Sequence, residues 1–234
     1  KHLVAQQICG ELGGLGDVSA NPDIQVLVGQ YIGPTAGGQL GGMQLLDFEY
    51  GHNTPIELNE TAYYPIWYTG DKLAASRVEA WEFIVGGGAS FNQLNGLYST
   101  YNPAAAGTEN EILLGALRNL RDFITSFDFL RMRPGLDFLA NPLPLGAFAR
   151  GMSQPGNQYA LYLHHSVCQD LKYEVRPGRY QHTLALNLPS GTYQAEWIDP
   201  ASGKVSGAQT FQHTGGEWAW QTPVYQVDIA LRIK

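Results

Sequence analysis

Four short apolar runs recur at a nearly constant spacing, and that spacing constrains the fold more than any other feature of the chain. They begin near residues 2, 24, 56 and 89. Residues 2–8 (HLVAQQI), 24–32 (IQVLVGQYI), 56–60 (IELNE) and 89–94 (ASFNQL) read as strands bounded by Gly, Pro or Asn. Helical patterns lie between and after them. Residues 42–50 form a short amphipathic stretch. Residues 71–85 carry Leu73, Val78, Trp81, Phe83, Ile84 and Val85 as apolar positions and stop at Gly86-Gly87-Gly88, a natural helix end. Residues 110–130 give the longest helical pattern, with Ile112, Leu113, Leu117, Leu120, Ile124 and Phe127 at threes and fours, and Pro134-Gly135 beyond it.

A strand-plus-helix unit of roughly 30 residues is the share of one unit in a (β/α)8 barrel of ~250 residues. Four units predict the second half of such a barrel, with a four-stranded open parallel sheet as the alternative. Polar pairs cluster at the strand C-termini: Gln6-Gln7, Gln30-Tyr31, Asn59-Glu60 and Asn92-Gln93. Barrels build their active sites on that face, which favours the half barrel.

The pattern changes near residue 150, predicting a barrel half over 1–150 and a small antiparallel β-sandwich over 151–234. Residues 159–163, 180–188, 191–198, 204–211 and 225–233 alternate as five strands. Pro189-Ser190-Gly191, Asp199-Pro200 and Thr214-Gly215-Gly216 read as the turns between them. No Pro/Ser-rich linker intervenes, so the sandwich is expected to pack directly on the barrel.

Composition narrows the partners. Charged residues are only 15% of the chain and the formal net charge is −7. That argues against nucleic acid and anionic membranes, which are bound through basic surface. No apolar run reaches the ~18 residues of a spanning helix. Cys9 and Cys168 lie far apart and give neither a metal-ligand spacing nor a disulfide framework. Two buried thiols are the simplest reading, with a bridge between the halves as the alternative. The histidines are scattered. Only His164-His165 are adjacent, and neighbours on a strand face opposite sides, so no metal is expected. The glycine runs lack the pattern of a phosphate loop, and no G-x-S-x-G elbow occurs, so no cofactor is expected. Lys1 has no Met before it and the chain reads directly into a strand. A processed product or a partial sequence is therefore expected.

Glu60 is the central candidate for chemistry. It follows Asn59 at the end of a predicted parallel strand and would face a barrel mouth. Glycoside hydrolysis needs two carboxyl groups flanking the scissile bond, ~5–5.5 Å apart in a retaining pair. Asn59 would bind the sugar or orient the carboxylate, and Tyr31 would hydrogen-bond Glu60. Tyr63, Tyr64, Trp67 and Tyr68 crowd the following loop and offer faces on which sugar rings stack. Asn92 and Gln93, at the next strand end, complete the candidate substrate-binding set. Trp81 and Trp197 read as core.

The stretch IELNETAYYP, followed by AASRVEAWEFIVGGGASFNQLNGLYS, resembles the last two units of a family of glycoside hydrolases that pair a (β/α)8 barrel with a C-terminal β-sandwich labelled collagen-binding. The shared features are Asn59-Glu60, Trp81-Glu82-Phe83, the Gly86–Ala89 segment and the aromatic–Asn–x–Leu run Phe91–Leu94. LPSGTYQAEWIDPASGKV resembles the sandwich hairpin of that family, and residues 118–132 resemble its last barrel helix. The resemblance implies a retaining glycosidase acting on an oligo- or polysaccharide, with Glu60 as nucleophile and Tyr31 the aromatic beside it. It also implies a secreted or periplasmic full-length protein.

Two departures stand out. The family commonly shows an Asp-Tyr pair after its last strand, where this chain has Asn95-Gly96-Leu97-Tyr98. The family's acid/base would lie before Lys1, and Glu11, Asp17, Asp47, Glu49 and Glu57 are poor substitutes. These residues alone are therefore expected not to turn over a glycoside. The missing strands would come from a second chain or from residues outside this sequence, because half a barrel leaves two strand edges open. The competing hypothesis is a carbohydrate-binding or structural protein without catalysis.

Overall fold

The computed structural model describes residues 2–9, 16–30, 42–59, 71–92, 109–169 and 172–234. The chain divides into two compact units, Lys1–Leu114 with Val167–Val175, and Gly115–Ser166 with Arg176–Lys234.

In the first unit, strands β1 (Ala5–Cys9), β2 (Val26–Gln30), β3 (Ile56–Asn59) and β4 (Ser90–Asn92) form one parallel sheet in sequence order. Helices α1 (Gly16–Ser19), α2 (Gly42–Glu49) and α3 (Lys72–Val85) lie between them in the chain, and α4 (Glu109–Ile124) follows. Register and alternation sort the side chains into two faces. Ile8, Leu27, Ile56, Leu58 and Phe91 pack with Leu45 and Leu46 of α2 and Phe83 of α3. This apolar face is the helix-covered side of a βα layer.

α3 shows how the sequence delivers β4 beside β3. The Asp71 side chain caps its start, accepting from the Ala74 amide at 2.9 Å. The helix is buried nearly all round, including Val78, Ala80, Trp81 and Phe83. At its end the Gly88 amide donates to the Phe83 carbonyl at 2.9 Å and the Gly87 amide to Ile84 at 3.1 Å. Gly87 has φ +107°, so this is a Schellman turn. Gly88 lies so close to the Phe83 ring that a Cβ there would overlap it. The next amide, Ala89, donates to the Ile56 carbonyl at 2.8 Å and starts the β3–β4 pairing.

α4 ends at Ile124, short of the predicted residue 130. Thr125 Oγ1 and Ser126 Oγ turn back onto the carbonyls of Arg121 and Phe123, and Gln158 brackets the Asp128 backbone, offering partners other than the next helical turn.

The second unit is an antiparallel sheet of six strands in the order β11-β10-β12-β7-β6-β5. These are β5 (Arg133–Pro134), β6 (Phe148–Gln154), β7 (Gln158–His164), β10 (Thr183–Ile198), β11 (Val205–Gln221) and β12 (Asp228–Ile233). β8 (Ser166–Gln169) and β9 (Lys172–Val175) pair with each other, and Val167–Val175 belongs to the first unit. The sheet thus begins upstream of residue 150, in a segment whose sequence (RP, then FARGMSQ) shows no regular alternation.

Two predicted turns are not turns. Residues 180–188 and 191–198 belong mostly to one strand, β10, and Thr214-Gly215-Gly216 lies within β11. Leu188 pairs with Gly216 and Ser190 with Thr214, so Pro189 and Gly215 sit opposite one another in the ladder. Gly215 and Gly216 both have positive φ, and proline lacks an amide to donate. The turn signals therefore mark a bend in a long hairpin. The bend lays Trp218 flat on Phe211 of the same strand, with centroids 4.5 Å apart and 5° between planes. The first half of β10 meets Leu139 through a bridge at Leu186, while its second half pairs with β12. Side chains of both halves, from Leu184 to Trp197, enter one core with Tyr159, Leu161, Leu163, Ile229, Leu231 and Ile233.

Candidate active site

The second face of the parallel sheet is polar. Register places Gln7, Val28, Glu57 and Ser90 in one row across it, and Gln30, Asn59 and Asn92 in the row nearer the strand C-termini. Of the predicted strand-end residues, Gln7, Gln30, Asn59 and Asn92 are thus brought to one face. Gln6, by alternation, is not. Its amide donates to the Gln7 carbonyl instead, at 2.9 Å.

Three carboxamides link across the strands. Gln7 Nε2 donates to Gln30 Oε1, and Asn59 Nδ2 donates to Gln7 Oε1 at 3.1 Å. This network uses the amide end of Asn59 and leaves its Oδ1 buried without a partner among the described residues. A buried carbonyl oxygen without a donor costs ~1–3 kcal/mol, so its position calls for a donor. A sugar hydroxyl or a neighbouring side chain can supply one. Asn59 is the last residue of β3, the strand end at which the sequence placed it.

Glu60, Tyr31, Tyr63, Tyr64, Trp67, Tyr68 and Gln93 lie outside the described residues, as do the side chains of Cys9 and Cys168. Glu57 is half-buried in the row below Asn59. Among the described residues no group of three or more His, Cys, Asp or Glu side chains is placed to hold a metal, and no helix is long and apolar enough to cross a membrane.

The second unit has a groove of about 340 Å³ lined by Arg133, Asp137, Phe138, Ser153 and Asn187 among others. Among the described residues that line it, Asp137 is the only carboxylate.

The parallel strands, their helix-covered apolar face and their polar second face make up part of a (β/α)8 barrel, the fold shared with the structures below. Among solved structures, the chain is similar to one described as a glycoside hydrolase, with TM-score 0.67 and 12% identity over 99% of this chain and 57% of that one. It is also similar to a family 5 glycoside hydrolase from Bacteroides vulgatus ATCC 8482, with TM-score 0.66 and 12% identity over 99% and 56%. A family 30 subfamily 8 xylanase from Clostridium acetobutylicum matches with TM-score 0.51 and 11% identity over 94% and 51%. The chain therefore spans little more than half the length of these neighbours, and at such identities the likeness is one of fold. No protein-family profile and no curated protein sequence matches it.

Proposed function

We propose that this chain is the C-terminal portion of a retaining glycoside hydrolase, in which Glu60 is the nucleophile and the acid/base comes from residues outside this sequence. The observation that carries the reading is Asn59. Its side chain is held by the carboxamide network, its Oδ1 has no donor among the described residues, and it immediately precedes the carboxylate. The shared fold of the glycoside-hydrolase neighbours supports the same reading.

In this account Glu60 attacks the anomeric carbon, and the upstream acid protonates the departing oxygen. Water then hydrolyses the glycosyl-enzyme, with the acid acting as base. Asn59 donates to or accepts from the sugar, Asn92 and Gln93 line the neighbouring strand end, and Tyr31 holds Glu60 ionised. Tyr63 and Trp67 provide stacking faces for an oligo- or polysaccharide. The second unit, whose six-stranded antiparallel sheet stands where a β-sandwich was expected, serves as the accessory domain.

The test is hydrolysis of aryl glycosides by a protein joining this chain to the strands that complete the barrel. Glu60→Gln should abolish turnover while leaving the fold intact. Full activity in that variant would overturn the assignment. Glycan binding that survives Glu60→Gln in a protein showing no hydrolysis at all would instead establish a non-catalytic binding protein.

A further inference from the structure

The second unit gathers three ligand-type atoms of its own. His165 Nε2 lies 2.9 Å from the Tyr225 hydroxyl and 3.3 Å from His182 Nε2. The three residues come from separate segments locked by backbone hydrogen bonds. The His165 amide donates to Val227, Tyr225 and Tyr180 exchange bonds, and the Thr222 amide donates to the His182 carbonyl at 2.8 Å. Tyr180 stacks on the His165 ring with centroids 3.5 Å apart and 5° between planes, and its own hydroxyl donates to the Arg176 carbonyl. The rings are thus fixed before any ligand arrives.

Proton accounting shows why three atoms meeting here need a fourth partner. The His165 ring also hydrogen-bonds the Gly146 backbone. With Nε2 turned towards Tyr225 and His182, that bond falls to Nδ1, which leaves Nε2 as a lone pair. One lone pair accepts one good hydrogen bond. If Tyr225 donates to it, His182 Nε2 faces an occupied acceptor, whether it carries a proton or a lone pair of its own. An imidazole whose far nitrogen donates to a backbone carbonyl is the usual arrangement of a metal-bound histidine. Two nitrogens on one tetrahedral zinc, each bound at 2.0–2.1 Å, stand about 3.3 Å apart. That matches the separation seen here.

We propose that His165, His182 and Tyr225 form a binding site for a zinc-type divalent cation, with the two Nε2 atoms and the phenol oxygen as ligands and a fourth position left to solvent. Two imidazoles favour zinc, nickel or copper over magnesium or calcium.

The experiment is isothermal titration of the EDTA-stripped full chain with ZnCl2 and NiCl2, with MgCl2 as the contrast and thermal melting in parallel. One zinc should bind per chain and raise the melting temperature. His182→Ala should weaken binding at least tenfold, and Tyr225→Phe should weaken it less. His52→Ala and His213→Ala should change nothing. If His182→Ala does not fold, the near-isosteric His182→Gln takes its place. No saturable zinc uptake, undiminished affinity in a folded His182 variant, or loss of uptake only in the His52 or His213 variants would each overturn the proposal.

Discussion

Acidification should destabilise the second unit through His165, and the size of the effect follows from its surroundings. The residue is 4% exposed, and its pKa falls from 6.5 to about 4, chiefly through burial and then through His182 and His164. The unfolded chain takes up this proton near pH 6.5, and the folded chain only near pH 4. Between those values the unfolded state holds more protons, so stability falls as pH falls. The contribution is full above pH 6.5 and lost by pH 4. At 1.36 kcal/mol per unit, a displacement of about 2.5 units amounts to about 3 kcal/mol. Urea titrations of the EDTA-treated chain, followed by the indole N–H signals of Trp197, Trp218 and Trp220, measure it directly. Between pH 6 and 4.5 His165 should contribute a slope near 1.4 kcal/mol per pH unit. His182, lowered in the same direction, adds to it. His165→Gln should remove the His165 share. A flat profile over that range, or a profile unchanged in the variant, would refute the reasoning.

Other substitutions probe the packing. Gly88→Ala drives a methyl into the Phe83 ring and should cost about 1–3 kcal/mol in chemical denaturation of the first unit. Tyr193→Phe removes the 3.0 Å bond from its hydroxyl to the Pro189 carbonyl at the hairpin bend, an expected loss of about 1 kcal/mol. Arg232→Met breaks the paired contacts of 2.6 and 2.8 Å to Glu196 across β10 and β12. The pair is half-buried, so about 1 kcal/mol should be lost, and less of it at high salt.

The parallel layer was legible because its code is local. β-branched runs, a capping aspartate and a glycine stop each act within a few residues, and the strands fell within three residues of their expected starts. The strand-end carboxamides could be named for the same reason, although their hydrogen bonds to one another could not. The second unit was harder to read. Pro189 and Gly215-Gly216 are ordinary turn signals taken singly, and only their pairing across the ladder converts them into a bend. Residues 148–154 form a strand without regular alternation in burial, so their sequence carried no strand signal. The His165–His182–Tyr225 group was invisible because strand pairing, not proximity in the chain, assembles it. The adjacent His164 and His165, read as facing opposite sides, have different surroundings. His164 stacks between Phe148 and Tyr162, and only His165 joins the cluster.

The role of Glu60 is tested most directly by trapping. The barrel-completed protein would be incubated with a panel of activated 2-deoxy-2-fluoroglycosides and its peptides analysed by mass spectrometry. The account predicts a stable glycosyl adduct on Glu60, absent in Glu60→Gln. An adduct on another carboxylate, or hydrolysis proceeding at full rate in Glu60→Gln, would contradict it.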